Sequence, residues 1–295
     1  MARRSPRRST WTLRLIAVAY VGVLVLLPLA VMLYRTFEHG LAAFLSSITA
    51  PTAVHALRLS LEVAVSAVVL NTVFGVGIAL LLTRYSFPGR RALSALIDLP
   101  VSVSPVIVGL ALILVYGSGG WFGTTLGTVG VQVIYATPGM VLATCFVSLP
   151  LVVREVVPVL GEIGLDQEQA ARSLGAGPWQ RFWRITLPSI RWALAYGVVL
   201  SLARALGEYG AVRVVSGNIS GHTQTLPLLA SERFQNFDES GAYAVAFVLV
   251  AIAVACIVVV ALLRPRQDGP EQGNSRTQNS PTDDGATGRG FEDNE

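Results

Sequence analysis

The chain has 295 residues, 53% of them hydrophobic and 14% charged, with a formal net charge of +4. A water-soluble domain carries roughly a quarter charged residues, and several apolar runs here reach the ~20 residues that a helix needs to cross a bilayer. This counts against a soluble enzyme, and runs that are continuous rather than alternating count against a β-barrel.

All 22 basic residues are arginine. A phosphate-binding P-loop requires lysine after its glycines, so any ATP-driven step belongs to another polypeptide. The fold class is therefore all-α and polytopic, with six transmembrane helices.

Residues 1–12 form a basic, polar amino-terminal tail. Leu13–Tyr34 is the first apolar run, with Pro28 inside it. It is too long for a signal-peptide core and no small-residue cleavage site follows, so it is predicted to remain as a span. Thr36–Leu57 is mixed and predicts an outer loop with a short interfacial helix. Leu59–Thr83 is the second span, followed by the turn signal Phe87-Pro88-Gly89. Ala92–Tyr116 is the third, and Pro100 and Pro105 require it to kink. Gly117–Ala136 is glycine-rich and uncharged. Gly139–Val157 is the fourth span, Ser189–Val212 the fifth and Gly241–Leu263 the sixth, with Arg213–Ser240 predicted as a polar loop.

Residues 13–263 thus form the membrane domain. The tail 264–295 is rich in Gly, Asn, Asp, Ser and Thr and predicts disorder, since it lacks the apolar surface to offset ordering entropy.

Cys145 and Cys256 both fall in apolar runs, which argues against a disulfide framework or a metal cluster. His39, His55 and His222 have no ligand spacing. Nor does the pI near 9.4 point to nucleic acid, because the arginines flank the spans. Arg84, Arg90 and Arg91, then Arg154, Arg172, Arg181, Arg184 and Arg191, fall on one set of connections, together with the amino-terminal arginines and Arg264 and Arg266. The positive-inside rule then places both termini in the cytoplasm.

The one long polar stretch is Asp166–Pro188, DQEQAARSLGAGPWQRFWRITLP. Asp166 is suited to cap a short helix, small alanines allow close approach of another surface, Gly175 and Gly177 permit a turn and Pro178 restarts the chain. Trp179, Phe182 and Trp183 suit an interfacial belt. Ala170-Ala171, then Gly175, then Ile185-x-Leu187-Pro188 resembles the EAA loop of ABC importer permeases. Gln169 stands where that family usually has Glu, with Glu168 just before it.

Further segments are similar to sulfate-type permeases: Leu70-Asn71-Thr72-Val73-Phe74-Gly75, Asp98-Leu99-Pro100, Ser104-Pro105-Val106 before Gly109, and Ala203-Arg204-Ala205-Leu206-Gly207-Glu208-Tyr209-Gly210-Ala211. Val215-Ser216-Gly217 with Gly221-x-Thr223-x-Thr225-Leu226-Pro227-Leu228 resembles the second (W type) permease of sulfate/thiosulfate importers. The resemblance spans about residues 55–262. It implies a type I ABC importer (MetI-like) fold in the plasma (inner) membrane and a non-catalytic permease for sulfate or thiosulfate. The implied partners are an ATP-binding cassette ATPase dimer, a homologous second permease and an extracytoplasmic sulfate-binding protein. ATP and magnesium would be bound by the ATPase, with no cofactor on this chain. Glu168, Gln169, Ala170, Ala171, Gly175, Ile185, Leu187 and Pro188 are the implied ATPase-coupling residues.

Polar residues inside a span are costly and suggest function. Arg204 and Glu208, four apart, share a helix face and can pair, either as a structural ion pair or as an attractor for an oxyanion. Asn71 suits an interhelical hydrogen bond or a pathway contact. Ser102 and Ser104, between the two prolines, sit where opened backbone could line a polar path. Two rivals stand beside this reading. One is a molybdate/tungstate ABC permease. The other is an ion-gradient-driven secondary transporter, which midspan carboxylates would favour, whereas Glu62 and Glu208 fall near the ends of the predicted spans.

Overall fold

The computed structural model describes residues 7–263. The predicted disordered tail 264–295 and the first six residues of the amino-terminal tail lie outside the described residues. Five helices are long and apolar enough to cross a membrane, and a sixth crossing is made if one bent pair counts as a span.

The first span joins α1 (Arg7–Val21) to α2 (Leu27–Phe37) through a single wide turn at Gly22–Leu26. Pro28 explains the turn: a proline cannot donate to the carbonyl four residues back and its ring crowds that carbonyl, and a π-type turn relieves both. The most apolar stretch of this span buries nothing against the rest of the described chain. Its carboxyl-terminal end is attached: Thr36 donates to the Tyr243 carbonyl at 3.3 Å, and Phe37, Phe44 and Phe247 form a ring cluster with centroids 5.1–5.7 Å apart. The short interfacial helix expected after the first span is α3 (Gly40–Thr49).

The centre of the bundle is α4 (Pro51–Arg84), α8 (Thr137–Ile163) and α11 (Leu187–Leu206). The 34 residues of α4 span about 51 Å, so it overshoots the ~30 Å hydrocarbon slab. Its buried face is a stripe of small residues, Ala53, Ala56, Ser60, Ala64, Ala67, Asn71, Gly75 and Ala79, at helical spacing. Lipid is as apolar as leucine, so helices in a membrane associate by close packing rather than by escaping solvent, and small residues permit it. Val152 of α8 is gripped from both sides. A Cβ on Gly75 would stand 3.0 Å from its Cγ1, and one on Gly197 of α11 3.2 Å from its Cα.

The third predicted span is a corner rather than a kink. Between α4 and α8 the chain forms α5 (Arg90–Ser102) and α6 (Pro105–Tyr116), which meet at 113°. Val103 and Ser104 are extended (ψ 137° and 131°), as expected of residues leading into a proline. The short helix α7 (Gly123–Thr128) lies in the glycine-rich stretch that follows.

After α8 come α9 (Asp166–Ser173), α10 (Pro178–Arg181) and a second wide turn at Phe182–Thr186 that runs into α11. Pro188 stands two residues beyond this turn, as Pro28 does beyond the first, and the same steric reason applies. The fifth span was expected to continue to Val212. It ends at Leu206, where Gly207 breaks the helix, and Gly210–Ser216 forms a separate α12 that packs on α6. That contact is tight: a Cβ on Gly109 would lie 2.7 Å from Val214 Cβ.

The segment expected to be a polar loop, Arg213–Ser240, is largely built into the fold. It contains the end of α12 and all of α13 (Leu226–Gln235), and it leads into the last helix, α14 (Glu239–Leu263). Thr223, Gln224, Thr225, Leu226, Leu228 and Leu229 are buried. Polarity of composition misled the sequence reading: Thr223 and Gln224 find hydrogen-bond partners inside the fold. Thr223 donates to the Ser216 carbonyl at 2.6 Å, Gln224 donates to Asn218 at 3.2 Å and also bonds Glu232, and Ser60 of α4 accepts the Leu226 N–H at 2.7 Å.

Because Gly197 meets backbone that cannot yield, Gly197→Leu is expected to overpack the α8–α11 contact by about 1–3 kcal/mol. The thermal midpoint of the detergent-purified protein should fall by several degrees, and Gly197→Ala should fall less. An unchanged midpoint for the leucine variant would place the contact elsewhere.

Candidate functional site

The polar segment folds as the sequence implies, with one shift of frame. Helix α9 begins at Asp166, but Leu165 occupies the capping position and makes no side-chain cap bond. Asp166, expected to cap the helix, is its first helical residue, where its charge still favours the positive helix end. At the other end the chain closes with paired backbone bonds, Gly175 N–H to the Arg172 carbonyl and Ala176 N–H to the Ala171 carbonyl, both 3.0 Å. Gly175 stands at φ +86°, which is why glycine is required there.

The expected coupling residues divide into two faces. Gln169, Ala170, Gly175 and Pro188 are exposed, and Leu174 beside them is 89% exposed. Ala171, Ile185 and Leu187 are half-buried, and Leu187 packs against the inner core of Val152, Val156, Leu160 and Ile190. Between α9 and the return chain lies an open cleft of about 430 Å³ lined by Ala171, Leu174, Gln180, Arg181, Arg184 and Ile185.

Glu168, one of the implied coupling residues, turns inward. Its Oε1 accepts from Arg84 Nη2 at 2.9 Å and from the Thr186 hydroxyl at 3.0 Å. Arg84 Nη1 also donates to the Leu160 carbonyl at 3.2 Å. The two charged side chains are only 10% and 16% exposed. One carboxylate thus ties α9 to the last residue of α4, to the end of α8 and to the turn that enters α11. Helical geometry is the reason: neighbouring residues differ by about 100°, so if Gln169 faces out, Glu168 points aside into the bundle. Arg84 and Thr186 were missed as partners. The first read as a topology marker, and the second is the unspecified position of the Ile-x-Leu-Pro motif.

Asn71 is buried and occupied. Its amide donates to Ser148 Oγ at 2.8 Å and to the Cys145 carbonyl at 3.1 Å, and Ser148 passes its own proton to the Thr144 carbonyl at 2.6 Å. This is a clasp between α4 and α8, the interhelical bond the sequence allowed. Ser102 and Ser104 are exposed at the corner between α5 and α6, and Ser102 bonds the Leu99 carbonyl at 3.3 Å.

Arg204 and Glu208 do pair, with Nη1 2.7 Å from Oε2, and the side chains are 39% and 2% exposed. The approach is close but not aligned as a hydrogen bond, since Oε2 has no hydrogen-bond partner among the described residues. Glu208 Oε1 accepts the Ala211 N–H at 3.0 Å, so the carboxylate also holds the start of α12. Nearby, Tyr209 shares a hydrogen bond with Ser231 at 3.1 Å and bonds Arg213. Its phenol pKa is lowered first by the Ser231 bond, against partial burial and with help from Arg213. The two polar regions occupy opposite ends of the bundle: Arg84, Glu168 and Thr186 at one, Ser60, Glu208 and Gln224 at the other. No group of three or more metal-ligating side chains occurs among the described residues.

A family model described as "Binding-protein-dependent transport system inner membrane component" matches residues 71–268. The chain is 47% identical over 251 residues to the sulfate transport system permease protein CysW of Synechococcus elongatus, covering 85% of this chain and 88% of that one. It is 42% identical over 262 residues to the CysW protein of Escherichia coli K12, covering 89% and 90%. A crystal structure of a bacterial ABC transporter that imports the acidic polysaccharide alginate contains a chain that superposes with a TM-score of 0.70 at 17% identity, over 86% of this chain and 93% of that one. At that identity the likeness speaks for the fold alone.

Removing Glu168 leaves Arg84 buried without its counter-charge, which costs about 3 kcal/mol or more when such a pair is broken from one side. Glu168→Ala and Arg84→Ala should each lower thermal stability, and the double variant should lose less than the sum, with a coupling of roughly 1–3 kcal/mol. Additive losses in that cycle would mean that the two groups do not act as a pair.

Proposed function

The chain belongs to the family of binding-protein-dependent transport system inner membrane components, and on that premise we propose that it is the membrane permease subunit of an ATP-driven importer for sulfate or thiosulfate. The substrate follows from the relatives named as sulfate permeases over most of their length. The observation that carries the mechanism is the two-faced α9 segment. Its outer face (Gln169, Ala170, Leu174) is free for a partner, while Glu168 fastens its inner face to three spans.

In this reading an ATPase dimer docks on the exposed face and the cleft beside it, supplies the ATP and magnesium chemistry, and moves the segment when it closes. The Glu168 clasp carries the movement into α4, α8 and α11. A homologous second permease completes the path, and an extracytoplasmic binding protein delivers the anion. The arginine-rich end then faces the cytoplasm, with both termini on that side. Arg204, partly exposed beside the break after α11, is placed at the outer end as a first cation for the incoming oxyanion, and Ser102 and Ser104 at the corner of the third span.

Proline at 175 could adopt neither φ +86° nor the N–H bond to Arg172. Gly175→Pro is therefore expected to leave ATP hydrolysis by the assembled complex running while uptake of labelled sulfate falls at least tenfold. Co-purification with the tagged chain should retrieve an ATPase and a second permease, and molybdate should compete poorly with sulfate. Full uptake in Gly175→Pro would remove the coupling role, and uptake that persists without ATP on an ion gradient would replace the whole reading.

A further inference from the structure

Helices α5 and α8 are joined by an ion pair whose place in the bundle is unusual. Arg154 Nε donates to Asp98 Oδ1 at 2.8 Å, yet the side chains are 57% and 42% exposed. They stand on the wall of a cleft of about 440 Å³ shared with Ser94, Leu82, Val157 and Pro158. Counting along the helices from Ile163 and from Arg90 puts the two groups about 12–14 Å along their helices from the arginine-rich end.

Two partly exposed charges on facing helices suit a water-filled path or a partner subunit better than hydrocarbon, where polar groups inside a span are costly. The other faces of α8 are taken. Val152 is held between Gly75 and Gly197, and Val153 packs with Leu82 and Ile97. Arg154 occupies the face left open, and its one hydrogen bond among the described residues uses Nε, leaving the terminal fork of the guanidinium to the cleft. Such a fork binds a tetrahedral oxyanion through two parallel bonds. A single carboxylate on Nε neutralises the group without blocking the fork.

We propose that Arg154 is a contact for the transported oxyanion on the inner half of the pathway, and that Asp98 is its resting counter-ion, which the dianion displaces as it passes. This rests on the reading of the chain as an oxyanion importer. The carboxylate keeps the empty path from holding a bare cation, and by repelling anions it requires the pair to part during transit.

The test uses the assembled transporter with Cys145 and Cys256 replaced by alanine and cysteine placed at Ser94, which lines the same cleft and leaves Arg154 in place. A membrane-impermeant hydrophilic thiosulfonate should label that position, and saturating sulfate should slow labelling at least fivefold. Absence of labelling from both sides overturns the proposal. In uptake of labelled sulfate, Arg154→Gln is expected to lose at least tenfold and Asp98→Asn no more than about threefold. Arg154→Lys, which keeps the charge but not the fork, should raise the half-saturating concentration severalfold with little change in maximal rate. Equal losses in Arg154→Gln and Asp98→Asn, restored by the reversal Asp98→Arg with Arg154→Asp, would make the pair a structural brace and overturn the assignment. If the complex carried no sulfate but another oxyanion protected position 94, the substrate reading would fall while the role of Arg154 stood.

Discussion

The arrangement of one end of this bundle depends on one carboxylate. Glu168 accepts from Arg84 and from Thr186, and Arg84 in turn holds the Leu160 carbonyl. Four separate pieces of chain meet there: the ends of α4 and α8, the helix α9 and the turn that enters α11. A surface ion pair is worth little because solvent screens it, but this one is nearly enclosed, so its geometry matters. Without it, α9 would be a short polar helix on a glycine turn, able to move without moving anything else.

The rest of the bundle supplies stiffness behind that joint. The small-residue face of α4, the grip of Gly75 and Gly197 on Val152 and the Asn71–Ser148 clasp hold α4, α8 and α11 at close approach. At the opposite end the carboxylate of Glu208 staples α11 to α12, and α12 in turn packs on α6. The wide turn at Phe182–Thr186 lies between the joint and α11, where a turn that is neither straight helix nor loop can absorb a change of angle. The 113° corner between α5 and α6 turns the chain sharply between the two helices.

Much of this was legible in the sequence, and the gaps have physical causes. Span count follows from apolar run length, which depends on one segment at a time. The glycine turn at 175 and the proline restart at 178 are local and came out as expected. What failed were features that depend on a distant partner. Glu168 was named with the coupling residues around it and its contacts to Arg84 and Thr186 were not foreseen, because a helix rotates each successive residue by about 100° and turns it aside from Gln169. Arg84 is 84 positions away in sequence, and nothing local ties it to Glu168. Thr223–Leu229 looked like loop because threonine and glutamine are polar, yet their hydrogen bonds close among themselves, with Ser60 accepting the Leu226 N–H. The corner in the third span read only as a kink, since prolines mark where a helix stops without fixing the angle at which the next begins.

The most direct measurement is the distance between spin labels at Ser86, just past α4, and at Arg172 on α9, in the assembled transporter with and without a non-hydrolysable ATP analogue. Both positions are exposed and lie on either side of the Glu168 joint. The account expects one narrow distance that nucleotide does not change, and a broad one once Glu168 is replaced by alanine. A distance that is already broad with Glu168 in place, or that shifts by several ångströms on nucleotide binding, would contradict it.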